Sequence, residues 1–238
     1  MRSPRTEGGY PEQYADLART LAEADGIDGT LEKIVARSIE LVPCDWSAVA
    51  VTKQLGKRPP GLAAVSDPEL LRTVASVAGS AESSPGREAF AGGEMRSCPD
   101  LTAENPWPDY AREMVRLTPI RSVLSFGLRL HDTTLGVLTL YSGRVRGFDD
   151  AAVRRGRLLA DHAAVAIDSA TAANAAENLR AALDSSRCIG AAMGVLAERH
   201  QITTDQAFDL LRVVSSHGNR KLADVAEEFM RTGALPEA

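Results

Sequence analysis

From Arg157 to Arg187 the chain contains neither proline nor glycine. Nothing there removes a backbone donor or loosens the chain, so the stretch predicts one long helix. Its flanks, such as "DSATAANAAENLR", are too polar to be buried on several sides. Leu158, His162, Val165, Ser169, Ala172, Ala176, Leu179, Leu183 and Ser186 follow alternating steps of four and three. That spacing is a heptad seam, with small and polar residues in its middle. It can lie on the helix's own domain or pair with a second copy, and the polar flanks favour pairing. His162 on the seam is read as a partly buried, satisfied histidine, with pH tuning of pairing as the alternative.

The chain N-terminal to this helix mixes periods. "EQYADLARTLAEAD" and "TLEKIVARSIELV" read as helices, the second ended by Pro43. "DWSAVAVTK" reads as a strand with "GLAAVSD" as its partner, and "DPELLRTVASVAG" as a helix. From Ser83 to Pro108 the chain is rich in Gly, Pro and Asn and reads as irregular, with a strand hidden in "GEMRSCPDL". "PDYAREMVRLT" is a short helix with Pro108 in its first turn. In "SVLSFGLRL", Leu124, Phe126, Leu128 and Leu130 alternate with Ser125, Gly127 and Arg129, which predicts one buried face. "HDTT" then turns the chain back into "LGVLTLYSG", a hairpin. Asp149 and Asp150 are candidate caps for the long helix.

The C-terminal tail repeats one pattern three times. Ile189, Ala192, Met193 and Leu196 sit at i, i+3, i+4, i+7; so do Ala207, Leu210, Leu211 and Val214, and Leu222, Val225, Ala226 and Phe229. Three apolar stripes predict a three-helix bundle. Thr203 with Gln206 fits a capping box, Asn219 can cap the last helix and Gly233 can close it.

Composition narrows the function. The 238 residues carry a formal net charge of −5, so any contact with nucleic acid must be local. From Asp184 to Ala238 acidic side chains outnumber basic ones, eight to six. The three cysteines, Cys44, Cys98 and Cys188, are far apart in sequence, which argues against a zinc site and for a reducing compartment. The start has no apolar segment typical of a signal peptide, and no apolar run suits a membrane span. A cytoplasmic protein is the expectation. No Ser/His/Asp or Cys/His grouping and no phosphate-cradling glycine motif suggests an enzyme, and no metal or cofactor is implied.

"RCIGAAMGVLAERH", "TTDQAFDLLRVVSSH" and "NRKLADVAEEF", in that order and spacing, resemble the ANTAR domain, the RNA-binding antiterminator module of bacterial regulators. The region from Gln13 to Ala170, with "LGVLTLYSG" before a terminal helix, resembles a GAF domain. The fold expected is an α/β sensor, an antiparallel sheet flanked by helices. A long helix or coiled coil joins it to a C-terminal three-helix bundle. The expected boundaries are 13–170 for the sensor, 157–187 for the linking seam and 181–238 for the bundle. The resemblance implies a homodimer that binds paired stem-loops in nascent RNA and so prevents a terminator hairpin. It also implies that the sensor takes a signal, with a small-molecule ligand as one form of it.

The candidate RNA-binding residues are Arg187, Ala191, Gly194, Arg212, Arg220 and Lys221. The cations offer phosphate contacts. Gly194 with Ala191 offers a smooth patch for close approach, the alternative being tight packing between helices. The family usually has a basic residue where this chain has Met193, which removes one phosphate contact. Phe208 reads as core, with a stacking platform for a loop base as the alternative. A ligand of the sensor would lie near the loop from Phe90 to Trp107. There Cys98 reads as an ordinary thiol rather than a redox sensor, and His131 as solvated. The other reading of the whole is a sensory dimer whose bundle binds a protein or DNA.

Overall fold

A computed structural model of the chain describes residues 10–52 and 61–236. The polar start, residues 1–9, Lys53 at the end of the first expected strand, and the last two residues lie outside the described residues. The chain forms two compact units, Met1–Asn174 and Ala175–Ala238.

In the first unit, helices α1 (Tyr10–Ala22) and α2 (Gly26–Leu41) precede strands β1 (Trp46–Val51) and β2 (Gly61–Val65). Helices α3 (Pro68–Ser80) and α4 (Pro85–Gly92), strand β3 (Arg96–Cys98) and helix α5 (Pro108–Leu117) come next. The hairpin of β4 (Ser122–Leu130) and β5 (Thr133–Ser142) completes a five-stranded sheet in the order β2-β1-β5-β4-β3, antiparallel throughout. Helix α6 then runs unbroken from Asp150 to His200. Asp149 begins it, its carboxylate accepting from the Ala152 N–H at 2.6 Å.

The expectation of one buried face on β4 is corrected. Residues from Ser122 to Phe126 are all buried, because both faces of the sheet are covered. Leu124, Phe126 and Leu128 join a core with Leu17 of α1, Ile34 of α2 and Leu159 and Ile167 of α6. Val123 joins a second core with Leu71 and Val74 of α3, Met114 of α5, Trp107 and Tyr141. Each such side chain contributes roughly 1.5–3 kcal/mol by leaving water. The small residues Ser125 and Gly127 have a reason too. They let α4 lie directly on the sheet, where a Cβ at Gly127 would stand 2.6 Å from the Ala89 carbonyl oxygen. Beneath α4 the Ser125 and Thr139 hydroxyls satisfy each other at 3.2 Å.

Helix α4 forms where the composition predicts irregular chain. Ser84 caps it by accepting from the Arg87 N–H, Pro85 opens it, and Gly93 closes it in the left-handed conformation at φ 66°. The expected long helix also extends further than 157–187. Neither Gly190 nor Gly194 stops it, so the first helix of the tail is the end of α6. In the first unit, α6 turns Ala152, Leu159, Ala160, Ala163, Ala164 and Ile167 to the core. Leu158 and Val165, on the heptad positions, stay exposed at 40% and 53%.

In the second unit the last turns of α6 pack with α7 (Thr204–His217) and α8 (Leu222–Thr232). Ala192, Leu196, Ala207, Leu211, Val225, Ala226 and Phe229 form its core. The capping box is present: Thr203 and Gln206 each accept from the other's backbone N–H. Gly233 closes α8 at φ 72°. Asn219 does not cap α8. The position before the helix is Lys221, and Asn219 instead takes the left-handed conformation at φ 47°.

Candidate nucleic-acid interface

The end of α6 has two faces. Ala192 and Leu196 are buried, with Cys188, Ile189 and Met193 packed partly against them. One helical turn apart on the other face, Arg187, Gly190, Ala191 and Gly194 are all exposed. A Cβ built at Gly190 or Gly194 meets nothing within 4 Å. Within the described residues no helix packs closely there, so packing does not explain either glycine. Each lowers helix stability by about 1 kcal/mol relative to alanine. The result is a strip of bare backbone open to a partner. Met193 lies on the core side of this helix, which gives it a packing role. Arg187 has only a weak exposed pair with Asp184 at 3.8 Å.

A second group forms at the turn from α7 to α8. The Ser215 hydroxyl donates to the Arg220 carbonyl at 2.6 Å, and the Arg220 N–H donates to the Ser215 carbonyl at 3.0 Å. These bonds tie the turn across its base. Around it, Arg212, Ser215, Ser216, Asn219, Arg220 and Lys221 line a concavity of about 500 Å³. Arg212 is held by Asp209 at 3.0 Å and Arg220 by Glu228 at 2.6 Å. Among the described residues Lys221 has no ion pair. Helix α8 starts behind it without a side-chain cap, leaving its first N–H groups to other acceptors.

The structure thus brings Arg212, Arg220 and Lys221 together and places Arg187, Ala191 and Gly194 in a separate line on α6. Sequence reasoning misses Ser215, Ser216 and Asn219 as members of the site, although "SSHGN" between the arginines is itself a polar turn signal. The core reading of Phe208 is corrected, since it is 37% exposed and outside the bundle core. Leu210 is likewise exposed, at 40%, on the edge of its stripe. Arg199 has a structural post: it lies 5.7 Å from the centre of the Phe229 ring and donates to the Gly233 carbonyl.

In the first unit, the loop before α5 is fastened down. Glu88 of α4 accepts from the Trp107 indole N–H at 2.8 Å, the Ser83 hydroxyl at 2.9 Å and the Arg96 guanidinium at 3.3 Å. These donors, Trp107 first, hold the Glu88 carboxyl below its ordinary range. A carboxylate of lowered pKa stabilises the fold above its unfolded pKa and loses that contribution as pH falls through the folded value. Tryptophan emission is therefore expected to change in acid, below the usual carboxylate range, and Glu88→Gln to lose that change; an identical acid titration in the variant refutes the assignment. Cys98 is buried to 1%, and burial pushes its thiol up from the ordinary value. Cys44 is pushed to about 12, again by burial first. Burial in this way disfavours the thiolate at both cysteines. His131 is exposed in its hairpin turn at φ 52°. A concavity of about 350 Å³ borders the same loop, lined by residues such as Leu101, Asn105, Ala111 and Val115. Among the described residues no group of side chains suits a metal ion, and no helix is long and apolar enough to cross a membrane.

With this geometry in place, two family likenesses fall on the two units. The GAF domain matches residues 24–168 and the ANTAR domain residues 177–230. The GAF domain of a phosphoenolpyruvate-protein phosphotransferase from Coxiella burnetii is similar in fold at 14% identity, with a TM-score of 0.51, over 69% of this chain and 96% of its own. That of the Acinetobacter phosphotransferase gives 14%, 0.51, 70% and 97%. The free methionine-R-sulfoxide reductase of Neisseria meningitidis, solved with its substrate, gives 16%, 0.52, 73% and 99%. At such identities the likeness is one of fold alone. No curated protein matches the sequence.

Proposed function

Because the chain belongs to the GAF domain family and carries an ANTAR domain behind it, we propose that it is a signal-responsive transcription antiterminator. GAF domains are sensors, ANTAR domains are RNA-binding antiterminator modules, and both are regulatory rather than catalytic. In this reading the protein works in the cytoplasm on nascent transcripts. It grips two stem-loops at once and holds the RNA in a form that cannot close a terminator hairpin. The sensor spans 13–170, the seam 157–187 and the RNA-binding bundle 181–238.

The observation that carries the proposal is the gathering of Arg212, Arg220 and Lys221 around one concavity of an otherwise acidic tail. Local positive charge on a chain of net charge −5 suits a phosphate backbone met at one place. The open strip of Arg187, Ala191 and Gly194 is a second place where RNA can come close to backbone. The seam supports the pairing of two chains. Leu158, Val165, Leu179 and Leu183 keep 40, 53, 63 and 50% of their surface exposed, and one heptad stripe on a second α6 would cover them. A homodimer then offers two bundles to two loops. The sensor's signal, a small molecule in the simplest case, acts on that pairing.

A second reading, a bundle that binds a protein, rests on the exposed Leu210 and Val213 of α7. Salt separates the two, since phosphate contacts weaken steeply with ionic strength and apolar contacts do not. The direct test is a gel-shift titration with an RNA of two adjacent stem-loops beside the same RNA lacking one loop. Binding that requires both loops is expected; the absence of binding to either, by the full chain and by a fragment from Leu158 onward, overturns the proposal.

Gly194→Ala gives a sharper check on the strip. The added methyl meets no neighbour, so the tail is expected to gain about 1 kcal/mol of stability, read as a higher thermal midpoint. RNA affinity is expected to fall at the same time. A variant that is more stable and binds as well as before removes Gly194 from the interface.

A further inference from the structure

We infer that the concavity at the α7–α8 turn takes one unstacked nucleotide of the RNA loop and reads its base through Asn219. The inference rests on the RNA-binding reading and goes beyond it, from phosphate attraction to a base-reading site. Three observations support it. The concavity is open and its lining is mostly exposed, so a base splayed out of a loop can reach it without any rearrangement of the bundle. The lining divides by chemistry: Arg212, Arg220 and Lys221 supply positive charge, while Ser216 and Asn219 supply neutral donors and acceptors. Among the described residues, neither the Ser216 hydroxyl nor the Asn219 amide is bonded within the chain, whereas the Ser215 hydroxyl is used up in holding the turn.

The arrangement is built rather than incidental. Glu228 fixes the Arg220 guanidinium at 2.6 Å, and the paired bonds between Ser215 and Arg220 fix the backbone beneath it. Asn219 stands between them with φ at 47°, a conformation that asparagine tolerates better than most residues. An amide has one acceptor and two donor hydrogens, the pattern needed to pair with the edge of a base. RNA loops are the place where bases are unstacked and can be splayed into such a site. The cations hold the phosphate of the same nucleotide, and the amide decides which base is accepted.

The test exploits the backbone. Glycine adopts a positive φ at no steric cost, so Asn219→Gly keeps the turn and removes only the amide. Full-length wild type, Asn219→Gly and Lys221→Ala are each used to select from RNAs with two adjacent stem-loops, fixed stems and randomised loops. Wild type is expected to enrich one base at one loop position. Asn219→Gly, with unchanged helical content, is expected to bind while its preference there falls about tenfold. Lys221→Ala is expected to bind more weakly with the preference intact. If Asn219→Gly enriches the same base as wild type, the site does not read the base. If wild type itself enriches no loop and binds no RNA of the pool, the RNA-binding reading beneath the inference has failed instead.

Discussion

Phe229→Ala is expected to unfold the tail bundle and leave the sensor folded. Phe229 is 2% exposed and sits among small partners, Ala192, Ala207, Val225 and Ala226, with only Leu196 and Leu211 as other large buried side chains. Truncating a buried phenylalanine costs roughly 3–5 kcal/mol. A unit of this size commands little more, at about 0.05–0.15 kcal/mol per residue. The variant also strips Arg199 of the ring it lies against. Thermal unfolding followed by circular dichroism is expected to show the sensor's transition at its wild-type temperature and the tail's transition gone. A tail that still melts cooperatively near its original midpoint shows that the bundle does not depend on this side chain.

The second large effect is on affinity, not stability. Arg220→Ala with Lys221→Ala is expected to weaken binding to a two-hairpin RNA by about 10- to 100-fold near physiological salt. The plot of log affinity against log salt is expected to flatten by about 1.4, since each lost contact to single-stranded RNA removes about 0.7 from its slope. The fold is expected to stay, because Lys221 has no ion pair to lose among the described residues and the Arg220–Glu228 pair is about one third exposed on both sides. Retained affinity with an unchanged salt slope moves the phosphate contacts elsewhere on the bundle.

How far these sites are legible in sequence depends on what each signal measures. Period two in "SVLSFGLRL" locates β4, but period alone cannot tell that α4 covers the face carrying Ser125 and Gly127. Helix α4 itself is hidden, since eight residues starting Pro-Gly are too few for a helical period to show. Its signal lies in Ser84 before Pro85, a cap and a first turn. The tail stripes are legible in position but not in width, which is why Leu210 falls outside the core. Gly194 illustrates the limit: a glycine that packs and a glycine that stays bare look the same in sequence, and only the empty space around its Cβ separates them. Asn219 likewise reads as a plausible cap until its positive φ assigns it to the turn.

The sheet order has a consequence for how the chain is made. β4 and β5 meet across the turn at His131 and Asp132, so they can pair as soon as both exist. β1 must wait, because one of its two neighbours is β5, with Trp46 opposite Tyr141. Closing so long a loop is slow compared with closing a hairpin. Until Thr133–Ser142 leaves the ribosome, the apolar edge Trp46–Val51 has no strand to complete it, and an open edge of that kind recruits other chains. Synthesis that stalls between β2 and β5 therefore yields a sticky fragment, and the seconds spent translating that interval are when this protein most needs a chaperone.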